Sequence, residues 1–208
     1  MLIVHHLNNS RSQRVLWLLE ELEVDYDIQT YQRDPDTNLA PPELLEVHPL
    51  GKSPVITDAG YTIIESGAII DYIVRHYGNG RLAPPPGTPA HEDYLQWMHY
   101  AEGSAALPLM LKLYTSRLPD GGEALQPRIN SEIDNHLGFM DRALAKRDWF
   151  VEDSFTAADI QLSFVPQIAQ LLYSLEPFPN LADFLDRIHA RDAYRRAIAR
   201  GGPYAFGS

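Results

Sequence analysis

The spacing of apolar positions changes once along this chain. Up to residue 78 short apolar runs alternate with isolated amphipathic segments, whereas beyond residue 90 apolar residues recur at three- and four-residue intervals. Leu2-Ile3-Val4 predicts a strand, and Val15, Leu18, Leu19 and Leu22 share one helical face. Between them lies the polar stretch Asn8-Asn9-Ser10-Arg11-Ser12-Gln13-Arg14. Tyr26–Tyr31 alternates and predicts a second strand. Residues 33–50 are polar and proline-bearing, with a short helix expected around 42–47. Gly51–Thr57 predicts a strand entered through Pro54, Asp58-Ala59-Gly60 a turn, and Tyr61–Ile64 the hairpin partner. Glu65-Ser66-Gly67 opens a helix that buries Ala68, Ile69, Tyr72, Ile73 and Tyr77 and stops at Gly78.

Residues 79–90 hold Gly80, Pro84, Pro85, Pro86, Gly87 and Pro89, the strongest linker composition in the chain. A domain over 1–78 and a second over 91–208 are therefore expected. In the second, 91–118, 126–147, 157–174 and 181–199 read as helices, with Pro108 kinking or restarting the first. Thr156-Ala157-Ala158-Asp159 is a capping box with Asp in the acidic place, read as structural. The fold class is α/β followed by all-α.

Composition narrows the function. The chain is 208 residues long, enough to bury a sizeable core, and no apolar run approaches a membrane span. Met1-Leu2-Ile3-Val4 is too short for a signal-peptide core and has no basic leader, so a cytoplasmic protein is expected. The absence of cysteine excludes disulfides, thiolate metal sites and a protein thiol nucleophile. A formal net charge of −11 argues against nucleic acid and anionic membrane partners. An anionic ligand would be drawn by local residues and helix ends. The eight histidines do not suggest a metal site. His5 and His6 face opposite sides of a strand, and His99 with Glu102 lacks a third ligand.

The polar stretch after the first strand has two readings. A helix N-terminus beside a hydroxyl can hold a small anion or thiolate. Ser10-x-x-Gln13 also fits a capping box with no chemistry attached.

The βαβ, hairpin, helix order of the first domain is thioredoxin-like. Joined through a proline-rich linker to a helical domain, it resembles the cytosolic glutathione S-transferases, bacterial and serine-type. Four segments carry the resemblance. Ser10 precedes Arg14 by the spacing of the serine-type classes. His48-Pro49-Leu50-Gly51-Lys52-Ser53-Pro54-Val55 is similar to the family's N-P-x-G-K-V-P. Glu65-Ser66-Gly67-Ala68-Ile69 is similar to E-S-x-A-I, and Ser154–Asp159 to the S-x-A-D motif of the core helix.

The resemblance implies an enzyme that binds glutathione as co-substrate, stabilises its thiolate and conjugates it to a small hydrophobic electrophile, without a metal. Ser10 is the first choice for the thiolate donor, Asn9 the second and Ser12 the third. Ser53, before a cis-Pro54, would bind the cysteinyl unit through its main chain. Ser66 and Glu65 would receive the γ-glutamyl end and Lys52 the glycine carboxylate. Arg11 would assist electrostatically, and His99 lies where relatives reach the partner subunit's glutathione. Tyr100, Leu107, Met110 and Tyr114 are candidates for the acceptor pocket. A homodimer with a detoxifying role is expected. A non-catalytic binding module, or glutathione-dependent ether cleavage, peroxide reduction or isomerisation, are the alternatives.

Overall fold

The computed structural model describes Met1–Gly207. Contacts divide the chain into two compact units, Met1–Leu82 together with His189–Ser208, and Ala83–Ile188.

The first unit holds a four-stranded sheet in the order β2-β1-β3-β4, from β1 (Ile3–Leu7), β2 (Asp27–Tyr31), β3 (Val55–Asp58) and β4 (Tyr61–Ile64). β1 and β2 run parallel across α1 (Ser12–Leu22), a βαβ crossover, while β3 runs antiparallel to both β1 and β4. A short α2 (Leu44–Val47) interrupts the polar tract, and α3 (Ser66–Tyr77) follows the hairpin. The Tyr72 and Tyr77 hydroxyls donate to Asp58 at the end of β3, fastening α3 to the hairpin. The elements match the predicted order, with β2 and β3 starting later than predicted.

The boundary at the far end differs from the expected 91–208 grouping. α10 (Asp192–Gly201) packs on α1 and belongs to the first unit. That explains why Leu16 and Trp17 are as buried as the predicted face of α1: α10 covers them. Trp17 meets Tyr194 edge to face at 5.2 Å. Arg191 grips Glu21 with two bonds of 2.6 and 2.9 Å, and Arg196 and Arg200 reach Glu20 at 2.9 and 3.0 Å. Gly201 lets the end of α10 close on α1, since a Cβ there would meet Gln13 Oε1 at 2.7 Å and Leu16 Cδ1 at 2.8 Å.

The second unit is helical. α4 (Pro89–Tyr100) runs through a π-helical turn, Ala101–Ala105, into α5 (Ala106–Thr115). The predicted break at Pro108 therefore falls a turn earlier. Pro108 has no N–H for the Ser104 carbonyl, and the widened turn precedes it. α6 (Gln126–Leu144) follows, then α7 (Ala157–Leu162), α8 (Phe164–Leu172) and α9 (Pro179–His189). Two predicted helices are thus split, at Ser163 and at Ala190-Arg191. The Thr156 capping box is formed. Asp159, fully buried, accepts from the Thr156 and Phe150 N–H groups at 2.7 and 2.9 Å. Burial raises its pKa to about 6 against those bonds.

Candidate functional site

The sheet register gathers the candidate residues of the first unit at one end of the strands. His5 pairs with Val55, and Val55 with Ile64, so the end of β1, the start of β3 and the end of β4 lie side by side. Residues 8–12, 52–54 and 65–66 all leave the sheet there. Arg14, buried on α1, links that helix to the last of these segments by donating to the Ser66 hydroxyl at 3.4 Å.

The loop between β1 and α1 is held by a residue that the sequence did not single out. Arg33 donates Nε to the Asn8 carbonyl (3.1 Å) and its two terminal nitrogens to the carbonyls of Asn9 and Asn38 (both 3.0 Å). Its main-chain N–H donates to Asn8 Oδ1 at 2.8 Å. Only pairing register signals this position. β1 and β2 are parallel with Leu7 opposite Tyr31, so the residues just after each strand become neighbours.

Proton positions on the buried hydroxyls follow from their partners. His6 Nε2 lies 3.1 Å from the Gly201 carbonyl, which only accepts, so Nε2 carries the proton. Burial lowers the His6 pKa, so the ring is neutral and Nδ1 is an acceptor. The Ser12 hydroxyl, 2.8 Å away, donates to it. Ser10 then donates to Ser12 Oγ (2.7 Å) or the Leu7 carbonyl (2.8 Å), and accepts from the Ser12 N–H (3.2 Å). Both serines are buried.

One expectation changes here. The Ser10–Gln13 capping box does not form: α1 begins at Ser12 after Arg11, and the buried Gln13 amide finds no partner among the described residues. The one proton of Ser10, the first-choice thiolate donor, has acceptors inside the protein at 2.7 and 2.8 Å. Asn9, the second choice, is half-exposed at the loop apex with φ of 48°. Asn tolerates that left-handed conformation better than most residues. The first turn of α1 carries no acidic residue, so the field of its N-terminus is not offset locally.

At α3 the first internal bond runs from the Ile69 N–H to the Glu65 carbonyl (2.9 Å), leaving the preceding amides of the first turn without intrahelical acceptors. Ser66 is buried there, and Glu65 is exposed with φ of 67° and ψ of 116°. A non-glycine residue in that region is strained by about 1–3 kcal/mol, a feature that clusters at ligand sites. The Ser53–Pro54 bond is cis. The Ser53 hydroxyl donates to the His5 carbonyl at 2.9 Å, and its main chain lies beyond the last β1–β3 pair. Lys52 is exposed, and Arg11 is half-buried at the entry to α1.

Residues 1–75 match the family model described as Glutathione S-transferase, N-terminal domain, and residues 102–192 the C-terminal domain of the same name. Glutathione S-transferase 3 of Schizosaccharomyces pombe is 35% identical over 218 residues, covering 96% of this chain and 88% of its own. The chain belongs to the glutathione S-transferase family. A glutathione S-transferase from Actinobacillus pleuropneumoniae has the same fold, with a TM-score of 0.89 and 29% identity over 99% of this chain and 94% of that one. The URE2P6 glutathione transferase of Phanerochaete chrysosporium, solved in complex with oxidised glutathione, superposes with a TM-score of 0.79 at 25% identity, covering 96% of each chain.

The remaining candidates of this transferase lie in the second unit. His99 is exposed on α4. The Tyr100 hydroxyl bonds His136 Nδ1 at 2.7 Å, and its ring packs against Trp97 and Phe139. Leu107 lines a cavity of about 320 Å³ with Pro108, Leu111 and His136. Met110 and Tyr114 are not among its lining residues. No group of three His, Cys, Asp or Glu suited to a metal ion occurs among the described residues.

Proposed function

We propose that this transferase binds glutathione at the shared end of β1, β3 and β4 and conjugates its sulfur to a small hydrophobic electrophile. The observation that carries the reading is the convergence of the Asn9 loop, Ser53 and the amino end of α3 at that end of the sheet. The extended tripeptide would lay its cysteinyl unit against the Ser53 main chain through main-chain hydrogen bonds, where the β1–β3 pairing has ended. Its γ-glutamyl carboxylate would meet the unpaired first-turn amides and hydroxyl of Ser66, with Glu65 facing the amino group. Lys52 would neutralise the glycine carboxylate, and Arg11 would add positive charge near the sulfur.

The Asn9 amide is the proposed donor to the thiolate, with Ser10 shaping the loop. A free thiol of pKa about 8.5 is a few per cent ionised at neutral pH. Lowering it by two units takes about 2.7 kcal/mol, within reach of one charge-assisted hydrogen bond plus a helix N-terminus. Leu107 and Tyr100 are proposed to serve the acceptor, His99 to face a partner subunit's ligand, and the enzyme to act as a cytoplasmic homodimer in detoxification.

Calorimetric titration with glutathione tests the site, with a Ser66→Ala variant expected to lose about 1.5 kcal/mol or more of affinity. Turnover of an aryl halide tests the chemistry. Binding without turnover of any electrophile would make the protein a non-catalytic module, and an unchanged dissociation constant in Ser66→Ala would move the ligand elsewhere.

A further inference from the structure

One contact at the proposed thiolate donor comes from the far end of the sequence. Asn9 Oδ1 accepts the main-chain N–H of Ala205 at 2.8 Å. Ala205 sits in a turn closed by the Gly207 N–H donating to the Tyr204 carbonyl at 3.2 Å. The turn is built into its surroundings. The Tyr204 and Phe206 rings meet edge to face at 5.2 Å. A Cβ on Gly207 would come within 2.7 Å of Tyr194 Oη and 2.8 Å of Tyr204 Cδ1, so a side chain there would have to displace these rings. Tyr194 is itself buried on α10.

A carboxamide has a donating and an accepting end, interchanged by rotating its broad, two-fold terminal torsion. With Arg33 holding the Asn9 main-chain carbonyl and Ala205 holding Oδ1, the Asn9 side-chain nitrogen is, among the described residues, the end left to a ligand. Rotated by half a turn, the same side chain would aim an oxygen at the sulfur and repel a thiolate. We propose that Ala205 is a positioning residue for the transfer reaction: its main-chain N–H orients the Asn9 amide so that nitrogen, and not oxygen, faces the glutathione sulfur. This rests on the reading of Asn9 as thiolate donor given above.

The turn allows a clean test. Ala205 is the second residue of a Tyr204–Gly207 turn, a place that proline favours, so Ala205→Pro removes the N–H while suiting the turn. The measurement is the ultraviolet thiolate absorbance of the glutathione complex against pH, alongside aryl-halide turnover at neutral pH. Ala205→Pro should raise the pKa of the bound thiol and slow turnover about 3- to 10-fold, with the glutathione dissociation constant nearly unchanged. Ala205→Gly, which keeps the N–H, should restore the wild-type titration. In an Asn9→Ala background Ala205→Pro should add nothing, as expected of groups acting through one bond. Gly207→Val, which displaces the turn by collision, is the second route should the proline variant not fold. A raised thiol pKa in Asn9→Ala but a wild-type curve in both turn variants would overturn the role of Ala205 alone. A wild-type curve in Asn9→Ala would overturn the donor assignment and the positioning role with it.

Discussion

Replacing Ser10 by Ala separates a hydroxyl that shapes the loop from one that ionises glutathione. The Ser10 hydroxyl has acceptors at 2.7 and 2.8 Å inside the protein and accepts the Ser12 N–H at 3.2 Å. Truncation leaves the Ser12 hydroxyl bonded to His6, which takes its one proton, so the Leu7 carbonyl gains no donor from Ser12 Oγ at 3.3 Å. The Ser12 N–H is left buried without this acceptor. One unsatisfied buried donor costs about 1–3 kcal/mol. For a chain of this size each kcal/mol lowers Tm by about 2–4 °C, so a loss of 2 kcal/mol would lower it by about 4–8 °C. Thermal unfolding followed by circular dichroism reads that term. Thiolate absorbance of the glutathione complex, titrated in both proteins, reads the other. The expected result is a lowered Tm with superimposable titration curves. A curve displaced by about one unit or more to higher pH, at unchanged Tm, would refute the proton assignment and return the donor role to Ser10.

Three further outcomes follow from the same geometry. Arg33→Lys replaces a fork holding the Asn8, Asn9 and Asn38 carbonyls by a point charge, and should weaken glutathione binding about 3- to 10-fold by calorimetry. Gly201→Ala drives a methyl against Gln13 and Leu16, and should cost about 1–3 kcal/mol in denaturant unfolding; an unchanged midpoint would mean that α10 can shift freely on α1. The Asp159 pKa is raised from 3.8 to about 6, so its titration favours the folded state fully below 3.8 and loses that contribution as pH rises through 6. The stability gap between wild type and Asp159→Asn should therefore narrow from pH 4 to 6 and stay flat above about 7; a gap that widens over that range would place the carboxyl's folded pKa below its unfolded one.

Local order was legible in the residues themselves. Apolar spacing is imposed by helix and strand geometry, so the hairpin at Tyr61–Ile64, the helix opening at Ser66 and the Thr156 cap could be read from a few neighbours each. The convergence of Ser53 and Ser66 on the Asn9 loop was legible only through motif resemblance, since it depends on strand register. Tertiary structure decided the rest. Ser10-x-x-Gln13 has the spacing of a capping box, yet Ser12 and His6 offer the hydroxyls better partners, with the His6 ring oriented by the Gly201 carbonyl. Nothing near Arg33 marks it as the clamp on Asn8 and Asn9, because its partners lie across a parallel strand pair. The spacing groups the last helix with its sequence neighbours, although Glu20 and Glu21 hold Arg191, Arg196 and Arg200 from some 170 to 180 positions away. A hydrogen bond or ion pair is set by distance in space, and such distances exist only once the chain has folded.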